Sequence, residues 1–73
     1  MEFGEKIQKL RNRNKWTQEH LAEKLYVSRT AVSKWESGKG YPNIDSLKEI
    51  AKIIIYDIFI ILLMSFVLIK DTE

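Results

Sequence analysis

The 73-residue sequence has no cysteine, and proline and glycine are scarce, with one and three residues. Without cysteine, disulfides, cysteine-rich zinc sites and a cysteine nucleophile are all excluded. The single histidine, His20, has no second histidine or cysteine beside it to complete a metal site, so neither a metal nor another cofactor is expected. The acidic residues are dispersed and form no catalytic arrangement with serine and histidine, so we predict that the protein is not an enzyme.

Charge is unevenly distributed along the chain. Residues 1–52 hold eleven Lys and Arg against seven Asp and Glu, whereas residues 53–73 hold one against three. A positive excess in the first part suits the phosphate backbone of DNA, although it suits many other soluble proteins as well. The charged N-terminal segment does not have the pattern of a secretory signal, which favours a cytoplasmic protein.

Apolar residues recur every three to four positions in four segments, a spacing that predicts amphipathic helices. The first predicted helix covers about residues 2–13, and Thr17, Ser28 and Asn43 are suited to cap the next three. The predicted buried faces of the first three helices are Phe3, Ile7 and Leu10; Leu21, Ala22 and Leu25; and Ala31, Val32 and Trp35. The apolar positions that predict the fourth helix are Ile44, Leu47, Ile50, Ala51 and Ile54.

The connection between the second and third predicted helices is very short. Only Tyr26 and Val27 separate Leu25 from the cap Ser28, which forces the two helices to cross steeply, as in a helix-turn-helix. We therefore predict an all-α fold, a compact bundle of four to five short helices with a helix-turn-helix. Residues 1–54 are the predicted domain.

Residues 17–22, with the sequence TQEHLA, and residues 27–39, with the sequence VSRTAVSKWESGK, resemble the lambda-repressor-like, or Xre-type, helix-turn-helix family. The resemblance covers about residues 3–54. It implies that Gln18 binds a DNA phosphate and braces the third helix, and that Lys39 contacts phosphate. It also implies a structural pair between Arg11 and Glu36.

Two positions depart from the family pattern. Tyr26 and Lys15 stand where many members have glycine, which adopts a left-handed backbone at no steric cost. We therefore expect strain or a shifted turn at these two residues.

The outward face of the third helix carries the predicted contacts with DNA. If Ala31, Val32 and Trp35 face inward, the polar residues between them reach the major groove of B-DNA. The predicted base contacts are Arg29, Thr30, Ser33 and Lys34. Hydroxyl contacts from Ser28 and Ser37 to the DNA backbone are predicted to position the helix without specifying sequence.

The C-terminal segment, residues 55–73, continues an apolar run at residues 53–69 that is interrupted only by Tyr56, Asp57 and Ser65. Three structures are compatible with this run. In the first, Asp57 caps a fifth helix, residues 58–69, that is buried between two copies of the chain. In the second, residues 53–69 anchor the protein to the inner face of a membrane, and in the third, the β-branched run pairs as strands.

Taken together, these features predict a sequence-specific transcriptional regulator. It is expected to be a repressor that binds double-stranded DNA at a palindromic operator as a homodimer. The alternative is a protein-interaction or membrane-tethered adaptor that uses the same fold without reading bases.

Overall fold

A computed structural model describes residues 2–71 and contains four helices in that range. They are α1 (Phe3–Arg13), α2 (Gln18–Leu25), α3 (Arg29–Glu36) and α4 (Ile44–Asp71). No strand is present between residues 2 and 71. The predicted all-α fold with a helix-turn-helix is therefore confirmed.

Three polar side chains cap the helices at the positions expected from the sequence. The hydroxyl oxygen of Thr17 accepts a hydrogen bond from the backbone N–H of His20 at 3.0 Å, and that of Ser28 accepts one from Ala31 at 3.1 Å. The Oδ1 of Asn43 accepts from the backbone N–H of Ser46 at 2.9 Å. Each cap pairs an N–H group that the first turn of a helix leaves without an intrahelical partner.

The core is small and lies where α1, α2, α3 and the first turns of α4 meet. Leu21, Leu25 and Val32 are its most completely buried side chains. Each contributes about 1.5–3 kcal/mol relative to an exposed position. The remaining buried apolar residues are Ile7, Leu10, Ala22, Trp35 and Ile50.

Helix α1 approaches the C-terminal end of α3 through a glycine. A Cβ built on Gly4 would lie 2.5 Å from the carbonyl oxygen of Trp35 and 2.7 Å from that of Glu36. Because both neighbours are backbone atoms, a side chain at this position would push the two helices apart. Gly4 therefore sets how closely α1 packs on α3.

The two residues that depart from the family pattern have the backbone conformation that glycine favours. Lys15 has φ of 58° and Tyr26 has φ of 59°, both in the left-handed region. Tyr26 is also 83% exposed, so its side chain gains little burial in return. Both residues thus have a backbone conformation that is costly for a residue with a Cβ, in line with the expectation of strain rather than of a shifted turn.

The C-terminal part of the chain differs from the expectation of a fifth helix. Helix α4 runs for 28 residues without a break, so the predicted cap at Asp57 is wrong, and so is the predicted strand. Asp57 instead accepts a hydrogen bond from the side-chain amide of Asn14 at 3.4 Å. No glycine or proline lies between residues 53 and 69 to end the helix. The boundary between residues 54 and 55 stays a prediction, and α4 crosses it.

The strain at Tyr26 can be measured with two substitutions. We expect Tyr26→Gly to be more stable than Tyr26→Ala by about 1 kcal/mol, because both remove the same exposed ring but only glycine relieves the left-handed backbone. Urea unfolding of the full chain in mild detergent, followed by circular dichroism, gives the two free energies of unfolding. Equal stabilities of the two variants would contradict strain at this turn.

Candidate nucleic-acid interface

Helix α3 presents a polar face to solvent. Its inner residues Val32 and Trp35 are buried and Ala31 is half-buried. All four side chains predicted to contact bases are exposed: Arg29, Thr30, Ser33 and Lys34. With two turns of helix and a free polar face, α3 has the form of an element that enters a major groove.

The connection from α2 fixes the direction in which α3 leaves the turn. Tyr26 ends α2 in the left-handed conformation, and the backbone N–H of Val27 donates to the carbonyl oxygen of Ala22 at 3.0 Å. Val27 packs against the core, and Ser28 immediately caps α3. This tight turn holds the start of α3, including Arg29, at a defined angle to α2.

A polar cluster of three side chains ties the other end of α3 to α1 and α2. The Nε of Arg11 donates to Glu36 Oε2 at 2.7 Å, and its Nη2 donates to Oε1 at 3.1 Å. Gln18, the first residue of α2, donates its amide to the same Oε1 at 3.1 Å. The Glu36 side chain is only 4% exposed, so these bonds compensate a carboxylate that is nearly removed from water.

The guanidinium of Arg11 completes the cluster. Its Nη1 donates to the carbonyl oxygen of Trp16 at 3.1 Å, which links the cluster to the turn between α1 and α2. The hydrogen bond from Arg11 to Glu36 raises the pKa of the guanidinium above its ordinary value. Because the pKa of Arg11 is higher in the folded than in the unfolded protein, its charged form stabilises the fold at every pH below the unfolded-state pKa. Arg11 is therefore charged through the neutral range, and its stabilisation of the fold is lost only in strong alkali.

The candidate phosphate contacts differ in how much of their hydrogen-bonding capacity is free. Lys39 is exposed and follows Gly38, whose φ of 78° turns the chain away from α3. Ser28 uses its hydroxyl oxygen as a cap but retains its proton for a phosphate. Ser37 donates its proton to the carbonyl oxygen of Lys34 at 3.2 Å, so it is less suited to donate to DNA.

Gln18 lies between the cluster and the solvent. It is half-buried, and one amide proton is committed to Glu36 while the other amide proton and the carbonyl oxygen have no contact in this cluster. A glutamine in this position can brace α3 and donate to a phosphate at the same time. The geometry is thus compatible with both roles that the resemblance implies.

Histidine and tryptophan residues take no part in this face. His20 is exposed and its ring lies 5.7 Å from that of Trp16. Trp16 is half-buried at the edge of the core, with the Nζ of Lys24 4.9 Å from its ring centroid. Between residues 2 and 71 there is no cluster of three His, Asp or Glu side chains that could hold a metal ion.

Sequence reasoning missed two contacts that position the site. The close approach at Gly4 and the hydrogen bond from Asn14 to Asp57 join residues 31 and more positions apart in the chain. Neither has a local signal beyond a glycine within a helix and a carboxylate within an apolar run. Both depend on which helices pack together.

Comparisons with known proteins agree with this geometry. The family HTH_3, described as helix-turn-helix, matches residues 7–60. The chain belongs to this helix-turn-helix family. Over 52 residues it is 71% identical to the HTH-type transcriptional activator BcrR of Enterococcus faecalis, an alignment that covers 71% of this chain and 26% of that protein. The chain thus spans about a quarter of its relative's length. No solved structure matches.

Membership confirms the lambda-repressor-like resemblance and the DNA-binding role that the sequence suggests. The family consists of transcription regulators and is not a family of enzymes, in agreement with the dispersed acidic residues.

The polar cluster can be tested against an exposed ion pair in the same molecule. We expect Arg11→Met to lower the free energy of unfolding by about 3–5 kcal/mol, because Glu36 is left buried with its charge uncompensated. Lys52→Met removes a partner of Glu49 at 3.2 Å, with 72% and 30% of the two side chains exposed, and is expected to cost less than about 1 kcal/mol. Urea unfolding in mild detergent measures both. Similar losses for the two variants would contradict a structural role for the cluster.

Proposed function

We propose that the protein is a sequence-specific transcriptional regulator that reads the major groove with α3 and binds a palindromic operator as a homodimer. The observation that carries this proposal is the exposed polar face of α3, held by a buried apolar face and a polar cluster at its C-terminal end. A rigid helix with free side chains is what direct base readout requires.

Three side chains on this face carry the specificity in the proposal. Arg29 donates two hydrogen bonds to a guanine, and Lys34 donates to guanine O6 or N7. Thr30 offers a hydroxyl and a methyl group to an A·T pair, while Ser33 adds a secondary or water-mediated contact. Phosphate contacts come from Gln18, Ser28 and Lys39, with Ser37 as the weakest candidate because its proton is already donated.

A homodimer follows from the size of the reading element. Two turns of helix cover only a few base pairs, and two copies related by a two-fold axis read half-sites about one helical turn, roughly 34 Å, apart. The repressor role expected from the sequence stays a prediction, since the relative from Enterococcus faecalis is named as an activator.

The apolar part of α4 at residues 53–69, which we call the tail, supports a second element of the proposal, attachment to a membrane. Helix α4 is long and apolar enough between Ile44 and Lys70 to cross a membrane, and an 18-residue window within it has a mean hydropathy of 2.5 and no buried residue. Residues 61–70 are exposed on every side of the helix. A second copy of the chain covers only one side of such a helix, whereas lipid covers all of them, so we favour the anchor over the dimer interface.

The length of the apolar run fits an anchor closely. Residues 53–69 span about 26 Å as a helix, a few ångströms less than a hydrocarbon core of about 30 Å. A mismatch of this size is accommodated by slight thinning of the bilayer. The head, meaning the part of the chain up to residue 52 with its basic excess, then lies on the cytoplasmic side together with the DNA.

Base readout is tested by selecting bound sequences from random duplex DNA with the purified protein. We expect an enriched palindrome, and we expect Arg29→Ala or Lys34→Ala to weaken binding to it by about 1–3 kcal/mol and relax the preference at one position per half-site.

Lys39→Ala is the matched control for these variants. It removes the same charge from a candidate phosphate contact, so it should weaken binding to all sequences alike. The slope of log binding constant against log salt concentration should decrease in magnitude by about one. A pool without enrichment at physiological salt is the result expected of a protein-interaction module and would overturn the proposal.

Membrane attachment is tested by placing an arginine in the tail. We expect Leu62→Arg to shift the protein from the membrane fraction to the soluble fraction of expressing cells, because a charge near the centre of a span costs roughly 2.5–3.5 kcal/mol. Ile44→Arg changes a residue of similar exposure outside the apolar run and should leave the protein in the membrane fraction. Wild-type protein that stays soluble without detergent would contradict the anchor.

A further inference from the structure

Two adjoining grooves lie where α4 leaves the head. Both are lined by Asn14, Tyr56 and Asp57. The first continues over Trp16, Lys24 and Lys52, and the second over Arg13, Ile60 and Ile61. We call this surface the neck and define it by Arg13, Lys15, Trp16, Lys24, Lys52 and Tyr56. Lys15 is included because it is exposed in the turn between Asn14 and Trp16.

The neck is basic. It carries four cationic side chains, one of them from the end of α1, one from the following turn, one from α2 and one from α4. The two carboxylates that line the same grooves are already engaged, since Glu49 contacts Lys52 at 3.2 Å and Asp57 accepts from Asn14 at 3.4 Å. An excess of two positive charges therefore surrounds the base of the tail.

Aromatic side chains lie among these charges. Trp16 is half-buried, with the Nζ of Lys24 4.9 Å from its ring centroid, and Tyr56 is exposed on α4. Tryptophan and tyrosine rings favour the boundary between hydrocarbon and water, because one part of each ring is apolar and another part forms hydrogen bonds. Basic and aromatic residues thus occur together at one level of the molecule.

That level is fixed by the tail. The head packs against α4 as far as Ile53, which contacts the core, and Asp57, which contacts Asn14. The head therefore stops the helix from sinking deeper into a bilayer on that side. With residues 53–69 in the membrane, as proposed above, the neck surrounds the first turns of that run and lies among the phospholipid headgroups.

We propose that the neck binds anionic phospholipid headgroups and holds the DNA-binding head against the membrane surface. This proposal rests on the membrane attachment proposed above and adds a lipid preference to it. The apolar tail alone gives no such preference, because hydrocarbon burial does not depend on headgroup charge, whereas basic residues at the surface are attracted by the negative potential of anionic lipids.

The test compares binding of the full-length protein to two kinds of vesicle by flotation. One kind contains phosphatidylcholine alone, and the other also contains phosphatidylglycerol. We expect tighter binding to the anionic vesicles and expect Arg13→Gln/Lys15→Gln to reduce binding to them about thirty-fold, since each basic residue at the surface contributes roughly five-fold. Binding of this variant to neutral vesicles should stay unchanged.

A matched control removes the same charge from the same region of sequence. Lys6→Gln/Lys9→Gln changes two exposed residues of α1 that do not line the neck grooves. It should bind anionic vesicles far more tightly than the neck variant does. Affinity for selected DNA should be the same in both variants, which verifies that the head is folded.

Each contrary result has a distinct meaning. Equal binding of the wild-type protein to both vesicles, or an equal loss in the two double variants, would overturn the neck as a lipid site while leaving membrane attachment in place. Absence of binding to either vesicle would overturn both proposals. Loss of DNA affinity in the neck variant alone, with vesicle binding unchanged, would assign these cations to the DNA backbone instead.

Discussion

The contact between Arg11 and Glu36 is the interaction on which the rest of the structure depends. It joins α1 to the C-terminal end of α3, and Gln18 brings the start of α2 to the same carboxylate. The core of this chain is small, and chains of this size are only marginally stable. Three helices therefore share one nearly buried charge whose partners must all be present, because removal of any one leaves a desolvated group without compensation.

This constraint also explains the separation of roles on α3. Trp35 and Glu36 hold the helix from its inner side and its end, whereas the exposed residues between the cap and the cluster are free to differ without loss of packing. The two ends of α3 are fixed by independent means, a tight turn at Ser28 and a polar cluster at Glu36. A helix fixed at both ends presents its polar face in one orientation, which base readout requires.

Much of the head could be predicted because its signals are local. The caps at Thr17, Ser28 and Asn43 follow from residue type and position, and the inward face of α3 follows from its periodicity. The left-handed residues were visible as departures from a glycine pattern. Asp57 gave the opposite result, because an acid beside an apolar run resembles a cap. In the structure the helix continues through Asp57, whose carboxylate accepts a hydrogen bond from Asn14, 43 residues away. The tail is therefore a continuation of the helix that packs against the head, and not a separate fifth helix.

Readout of base edges by α3 in the major groove can be observed on the DNA itself. Methylation interference on a selected DNA site tests it most directly, because a methyl group on guanine N7 blocks the major-groove edge that arginine and lysine contact. We expect interference at guanines in two patches about one helical turn, roughly 34 Å, apart, and loss of that interference at one guanine per patch with Arg29→Ala. Binding that is indifferent to N7 methylation would contradict it.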